Sequence, residues 1–181
     1  MPRLPYLNKG DIPGFPDLPR SKNNISRAVC HSPRAAQVQG ALSMFFRHES
    51  KLDPRLRELA ILQVGYVTKS AYEYAHHCAL GLECGATEAD ILSIADETAG
   101  KPTHFDPLTK AVLRAARQMS LEIDLSDETY TVLRHHLDEE LLVDLLMVIA
   151  NYNSVVRLLS ALRIDMEKEY EGFLDKFPLS P

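Results

Sequence analysis

The chain has 181 residues, of which 45% are hydrophobic and 25% charged, and its formal net charge at pH 7 is −5. This length and composition are typical of one soluble domain with a hydrophobic core. The sequence has no basic block and no continuous apolar run of the ~18 residues that a membrane span needs, so we expect neither nucleic-acid nor membrane binding. The N-terminal segment also lacks the apolar region of a secretory signal, and we expect a cytoplasmic protein.

The N-terminal segment is rich in proline. Proline fixes the backbone and removes a hydrogen-bond donor, so residues 1–22 predict an extended arm rather than a helix. Such an arm lies along its own domain or along a neighbouring subunit. We predict that residues 23–181 form a single all-helical domain.

Helix start signals then follow one another along the chain. A short helix is predicted over 23–30, and Pro33 opens a second one that runs to about His48. Asp53-Pro54 is a strong start, because aspartate accepts a hydrogen bond at the N-cap and proline loses nothing at the first helical position. The next helix begins at Ser70, whose S-x-x-E spacing to Glu73 is that of a capping box.

The second half continues this pattern. No segment alternates between apolar and polar residues as a half-buried strand does, so the sequence predicts an all-α fold. The last long helix is apolar over so much of its surface that we expect it to be buried in the domain or in an oligomer interface. The signals are Gly85 as a helix stop, capping residues at Thr87–Asp90, Asp106-Pro107, Ser126 and Asp138, the apolar helix Glu139–Leu162, and a charged tail over Ile164–Pro181 with anchors Tyr170, Phe173 and Phe177.

The helix that starts at Ser70 carries the candidate chemistry. Glu73 lies three residues before His76 and four before His77, so the three side chains share one side of the helix. A carboxylate beside a histidine is an acid–base set, and Glu58 on the preceding helix could add a second carboxylate. The structural alternative is that Glu73 only caps its helix, while one histidine is exposed and the other is satisfied in the core.

These residues also carry a family resemblance. The segments RELAIL, EYAHH and ECGATEADI, in this order and spacing, resemble the carboxymuconolactone decarboxylase family, which shares an all-helical fold with the alkylhydroperoxidase D-like (AhpD-like) proteins. The resemblance covers nearly the whole chain. It is specific for the fold and less specific for the reaction.

The AhpD-like branch has a motif of one glutamate, a C-x-x-C pair and a histidine. Laid on this sequence, the glutamate falls on Glu58, the histidine on His77, and the two cysteines on Ser70 and Glu73. Peroxide reduction in that branch needs both thiols, so the resemblance favours the decarboxylase branch. The odd, widely spaced cysteines Cys30, Cys78 and Cys84 give no disulfide framework.

The resemblance therefore implies decarboxylation of a small carboxylated, lactone-type metabolite without a cofactor or a metal. The alternatives are an alkylhydroperoxidase-like antioxidant enzyme, or a non-catalytic binding or assembly protein on the same fold. A single divalent ion held by Glu58, Glu73 and His77 stays open. The candidate catalytic residues are His77, Glu58 and Glu73, and the candidate substrate-binding residues are Ser70, Tyr66, Tyr74, His76, Arg57 and Asn153, with Arg157 as a second cation.

Two further expectations concern neighbouring molecules. Members of the family commonly form trimers or hexamers, and the apolar last helix and the N-terminal arm are both suited to an interface. We therefore expect a homo-oligomer, most simply one based on a trimer. The expected partners are a small-molecule substrate and further copies of this chain.

Overall fold

Helices make up all the regular structure in the part of the chain that can be described. The computed structural model describes residues 1–14 and 22–179. Within these residues the fold is all-α, as the sequence predicts. The helices are α1 (Asn24–Val29), α2 (Pro33–His48), α3 (Pro54–Val67), α4 (Ala71–Glu83), α5 (Glu88–Thr98), α6 (Pro107–Leu121), α7 (Asp127–His136), α8 (Glu139–Leu162) and α9 (Lys168–Lys176).

Local capping sets most of these boundaries. The side chains of Asp53, Asp106 and Asp138 each accept a hydrogen bond from a backbone N–H in the first turn of the helix that they precede. Thr87 and Asp90 form the reciprocal capping box that their spacing predicts. Gly85 ends α4 with a φ of 94°, a left-handed conformation that glycine adopts without strain.

Helix α3 lies at the centre of the fold. Ten consecutive residues, 56–65, are buried, so this helix is covered on all sides. One side packs against α2, α6, α7 and α8, and the other packs against α4, α5 and the C-terminal segment. A Cβ at Gly65 would lie only 3.1 Å from the backbone nitrogen of Tyr74. The absence of a side chain there lets α3 and α4 approach closely, and these two helices carry Glu58 and His77.

Both termini pack against the helical core. Arg3 donates its backbone N–H to Leu162 and its guanidinium to Ala161, while the Arg27 guanidinium bonds the carbonyl of Leu7. The described part of the arm therefore lies on its own chain, and residues 15–21 of the predicted arm fall outside the described residues. The predicted tail forms α9, a helix that the sequence did not indicate, and its expected anchor Phe177 lies in the core with an exposure of 1%.

Helix α8 is strongly apolar, as the sequence predicts. Its 24 residues are long and apolar enough to cross a membrane by length and composition alone, a test that core helices of soluble proteins also pass. Polar residues interrupt every apolar run in this helix, so it contains no continuous apolar segment of that length. In the fold, Leu145, Val148 and Ile149 are fully buried against the other helices, whereas Val143 and Met147 are exposed.

Candidate active site

His77 lies between two carboxylates. Its Nδ1 is 2.6 Å from Oε2 of Glu58 on α3, and its Nε2 is 2.9 Å from Oε1 of Glu73, one turn earlier on α4. All three residues are buried. A histidine donates from both ring nitrogens only when it is protonated, so this geometry suits an imidazolium. The structure thus brings together the three residues that the sequence marks as catalytic candidates.

The charges of the site favour the same protonation state. Burial alone would disfavour the imidazolium, but the negative charges and hydrogen bonds of Glu58 and Glu73 outweigh it and raise the pKa of His77 to about 9. Burial also opposes ionisation of Glu58, yet His77 and the adjacent Arg57 lower the pKa of its carboxyl below the ordinary value. At neutral pH the site therefore contains a charged His77 and an ionised Glu58.

Glu73 is not used as a capping residue. Ser70 occupies the N-cap of α4, but its side chain makes no capping hydrogen bond. The predicted Ser70–Glu73 capping box is therefore wrong. The reason is that Glu73 turns to His77, because a buried carboxylate gains more from a charged partner than from a backbone N–H.

A cavity of about 550 Å³ opens beside this trio. Helices α1, α2, α4 and α8 supply its walls, and Glu73, His76 and His77 are among the lining residues. Glu58 is not, so it supports His77 from the side away from the cavity. The volume suits a small-molecule ligand.

Two lining residues were not anticipated from the sequence. Arg47, at the end of α2, borders the cavity, and so does Tyr152 of α8. The edge of the Tyr152 ring meets the ring of His77 at a centroid distance of 4.9 Å. Neither residue belongs to a local motif, since each reaches the site only through the packing of distant helices.

Helix α8 also presents a different asparagine from the one proposed. Asn151 lines the cavity. Asn153 does not, because two residues along a helix lie on nearly opposite sides. Asn153 instead donates to Ser120 and accepts from Arg157, and both Asn153 and Arg157 line a separate shallow groove.

The other proposed ligand-binding residues lie outside the cavity lining. Arg57 is buried, with its Nε 3.0 Å from Oε1 of Glu58 and another guanidinium nitrogen 3.0 Å from the carbonyl of Phe46. Arg57 therefore pairs with the Glu58 carboxylate and holds it in place. Tyr74 packs into the second core cluster with Tyr66 against it, and Ser70 remains at the end of α4.

His76 has a structural setting of its own. It is buried, with an exposure of only 6%. Its ring is stacked between Tyr72 and Tyr170, and its Nε2 lies 2.6 Å from Oε2 of Glu167. Burial outweighs this carboxylate and lowers the pKa of His76. His76 therefore connects a cavity wall to the C-terminal segment.

Of the three cysteines, Cys30 alone lines the cavity, and burial raises the pKa of its thiol. Cys78 follows His77 but is fully buried in the second core cluster, where burial raises its thiol pKa to about 12. Within the described residues, no group of three or more His, Cys, Asp or Glu side chains is arranged to hold a metal ion.

Comparison with known proteins identifies the fold. The debrominase Bmp8 in complex with 2,3,4-tribromopyrrole superposes with a TM-score of 0.76 and 16% identity, covering 86% of this chain and 82% of that chain. A peroxidase-related protein with an alkylhydroperoxidase AhpD core, from Ralstonia eutropha, gives a TM-score of 0.74 and 17% identity over 96% and 95% of the two chains. A peroxidase-related protein from Silicibacter superposes with a TM-score of 0.70 and 20% identity, covering 82% of this chain and 78% of that chain. The chain thus has an AhpD-like helical fold.

A family model matches the central part of the chain. Residues 34–118, which contain α2 to most of α6 and the trio of Glu58, Glu73 and His77, match the carboxymuconolactone decarboxylase family. No curated protein sequence matches the chain significantly. The resemblance noted in the sequence is confirmed over these residues, and the fold is AhpD-like.

Proposed function

We propose that the protein is a cofactor-free acid–base enzyme that decarboxylates a small carboxylated, lactone-type metabolite. The observation that supports this most is the position of His77, held between Glu58 and Glu73 at the wall of an open cavity. The family supplies the reaction class. The neighbours include a debrominase and peroxidase-related proteins, so the fold by itself leaves the reaction open.

The reaction needs only a bound anion and a proton. When the bond between the carboxylate carbon and the ring breaks, carbon dioxide leaves and the electron pair passes into the conjugated lactone. A proton must then be added to carbon. His77 supplies that proton, either directly or through Glu73, and regains one from water. Glu58, fixed by Arg57, keeps the imidazole ring oriented.

A thiol peroxidase is the less favoured enzyme. Ser70 and Glu73 stand where the cysteines of the AhpD-like motif fall, and burial raises the pKa of both Cys78 and Cys84. A peroxidase of that type needs an accessible thiolate. A purely structural protein is less favoured as well, because its site would be closed and dry, whereas charged side chains line this cavity.

The test is a screen for release of carbon dioxide from carboxylated γ-lactones and β-keto acids. Parent protein is compared with His77→Gln and with His135→Gln, a control at an exposed histidine of α7. Loss of a general acid lowers the rate by about 10²–10⁴-fold, so His77→Gln is expected to lose activity and His135→Gln to keep it. Release by the parent that is undiminished in His77→Gln, or no release from any compound, contradicts the proposal.

A further inference from the structure

The cavity wall contains one positive side chain besides His77. Arg47 is the sole arginine or lysine among the described lining residues, and it lies at the C-terminal end of α2, on the rim. A guanidinium presents a planar fork of donors that matches the two oxygens of a carboxylate. Its position in the wall makes it available to a ligand.

Tyr152 connects this cation to the proton-transfer site. Arg47 and Tyr152 both line the cavity. Burial raises the pKa of Tyr152, and the positive charge of Arg47 only partly opposes this. The hydroxyl thus stays protonated. A protonated hydroxyl in the cavity wall can donate its hydrogen to a ligand oxygen. The ring of Tyr152, in turn, contacts the ring of His77.

Asn151 adds a third donor with no acceptor. Its side-chain Nδ2 is buried and finds no hydrogen-bond partner among the described residues, yet the side chain lines the same cavity. Buried donors are almost always paired in folded proteins, so an unpaired one in a cavity wall indicates a place for a ligand oxygen. Asn151 precedes Tyr152, and both reach the cavity from α8.

We propose that Arg47, Asn151 and Tyr152 form a binding site for a carboxylate of the substrate, next to His77. The three donors differ in kind but all suit an oxygen anion, whereas Glu73 on the adjoining wall would repel one. The ligand is therefore oriented, with its anionic group at Arg47 and its remaining atoms near Glu73 and His77. The inference rests on the proposed function only in calling this ligand a substrate.

Binding can be measured without turnover. The probe is a saturated γ-lactone acid, 5-oxotetrahydrofuran-2-carboxylate, which lacks the conjugation needed to lose carbon dioxide. Its carboxamide is a neutral probe of nearly equal shape. Dissociation constants are measured by NMR titration for the parent, Arg47→Met, Asn151→Leu and Arg34→Met. Arg34 is the matched control, an exposed arginine on the same helix outside the cavity lining.

The expected result is that Arg47→Met loses the preference for the charged probe over the neutral one. The parent and Arg34→Met should bind the carboxylate about tenfold or more tightly than the carboxamide, with a preference that weakens as salt is added, because Arg47 is exposed. Arg47→Met should remove that preference without weakening carboxamide binding, and Asn151→Leu should weaken carboxylate binding. A parent that binds both probes equally, or neither, overturns the inference, and so does an equal loss in Arg34→Met.

This test separates the inference from the proposed function. If Arg47 governs carboxylate binding but no compound releases carbon dioxide, the anion site stands and the decarboxylase proposal fails. If carbon dioxide release depends on His77 while Arg47→Met leaves both KM and probe binding unchanged, the enzyme stands and the anion site is wrong.

Discussion

His77 Nδ1 lies 2.6 Å from Oε2 of Glu58, although the two residues are 19 positions apart and belong to different helices. The contact buries a charged pair, and Glu73 occupies the other ring nitrogen. Because the imidazolium is stabilised only in the folded protein, its proton links stability to pH.

The first prediction is a loss of stability on the alkaline side. The pKa of His77 is about 9 in the folded protein, above its ordinary value of 6.5. Because the pKa is raised in the folded state, the stabilisation from protonated His77 is fully present below about pH 6.5 and is lost as the pH rises through about 9. Urea unfolding of the parent between these values should therefore show a falling free energy of unfolding, while His77→Gln shows a flatter profile. Parallel profiles for the two proteins would contradict this prediction.

The second prediction separates the two carboxylates. Both oxygens of Glu58 are bonded, one to Arg57 and one to His77. Glu58→Gln leaves buried charges without a partner and should cost about 3–5 kcal/mol in the free energy of unfolding. Glu73 borders the cavity and contacts His77 alone among these groups, so Glu73→Gln should cost only about 1–3 kcal/mol.

Activity should rank these variants differently. Glu73→Gln should lower carbon dioxide release by about 10²–10⁴-fold while the protein stays folded, because Glu73 is the carboxylate that faces the ligand. Chemical denaturation and the release assay on the same samples check both statements. A Glu73→Gln protein that is fully active, or a Glu58→Gln protein as stable as the parent, would refute the assigned roles.

The sequence predicts those parts of the fold that depend on neighbours in the chain. Asp53-Pro54 and Asp138 start helices because their capping groups lie within one turn. Ser70 and Glu73 have equally good local spacing, but His77 is a stronger partner for Glu73. A local rule fails where a buried charge competes with it.

The site was predictable only where a family pattern covers it. Glu58 and His77 were paired through that pattern, since spacing alone does not place residues of two helices together. Arg47 and Tyr152 come from α2 and α8 and belong to no motif, so only the packing of the helices shows that they share a cavity. The role of the C-terminal segment was also missed, because Glu167 finds its partners on helices that are distant in the sequence.

The third prediction concerns Glu167. Its carboxylate accepts hydrogen bonds from the backbone N–H of Asn24, from the hydroxyl of Tyr72 at 2.9 Å, and pairs with His76. It thus joins α1, α4 and the C-terminal segment. Glu167→Ala should lower the free energy of unfolding by about 1–3 kcal/mol, whereas Glu169→Ala, at an exposed position of α9, should be nearly neutral. Hydrogen exchange should also show α1 opening more easily in Glu167→Ala. Equal effects of the two substitutions would contradict this role of Glu167.

The fourth prediction is self-association. Val143 and Met147, one turn apart on α8, are 52% and 44% exposed, and Ile123 is 85% exposed. We propose that this apolar surface is covered by other copies of the chain in a trimer-based homo-oligomer. Light scattering of the parent at micromolar concentration should give a multiple of the monomer mass, and a Val143→Glu, Met147→Glu protein should dissociate. Leu92→Glu, at an equally exposed position of α5, is the control. A monomeric parent would contradict the proposal.

The final prediction is that the thiols of Cys78 and Cys84 play no part. Cys78 is fully buried, with a pKa raised to about 12 by burial, and the Sγ of Cys84 accepts a hydrogen bond from the Arg57 guanidinium at 3.4 Å. Burial also raises the pKa of Cys84, so neither cysteine supplies a thiolate at neutral pH. A Cys78→Ala, Cys84→Ala protein should match the parent in carbon dioxide release within about twofold, since neither sulfur lines the cavity. Alanine is preferred to serine at Cys78 because it adds no buried hydroxyl to the core. Thiol-dependent turnover of an alkyl hydroperoxide by the parent, abolished in the double variant, would instead place the protein in the peroxidase branch.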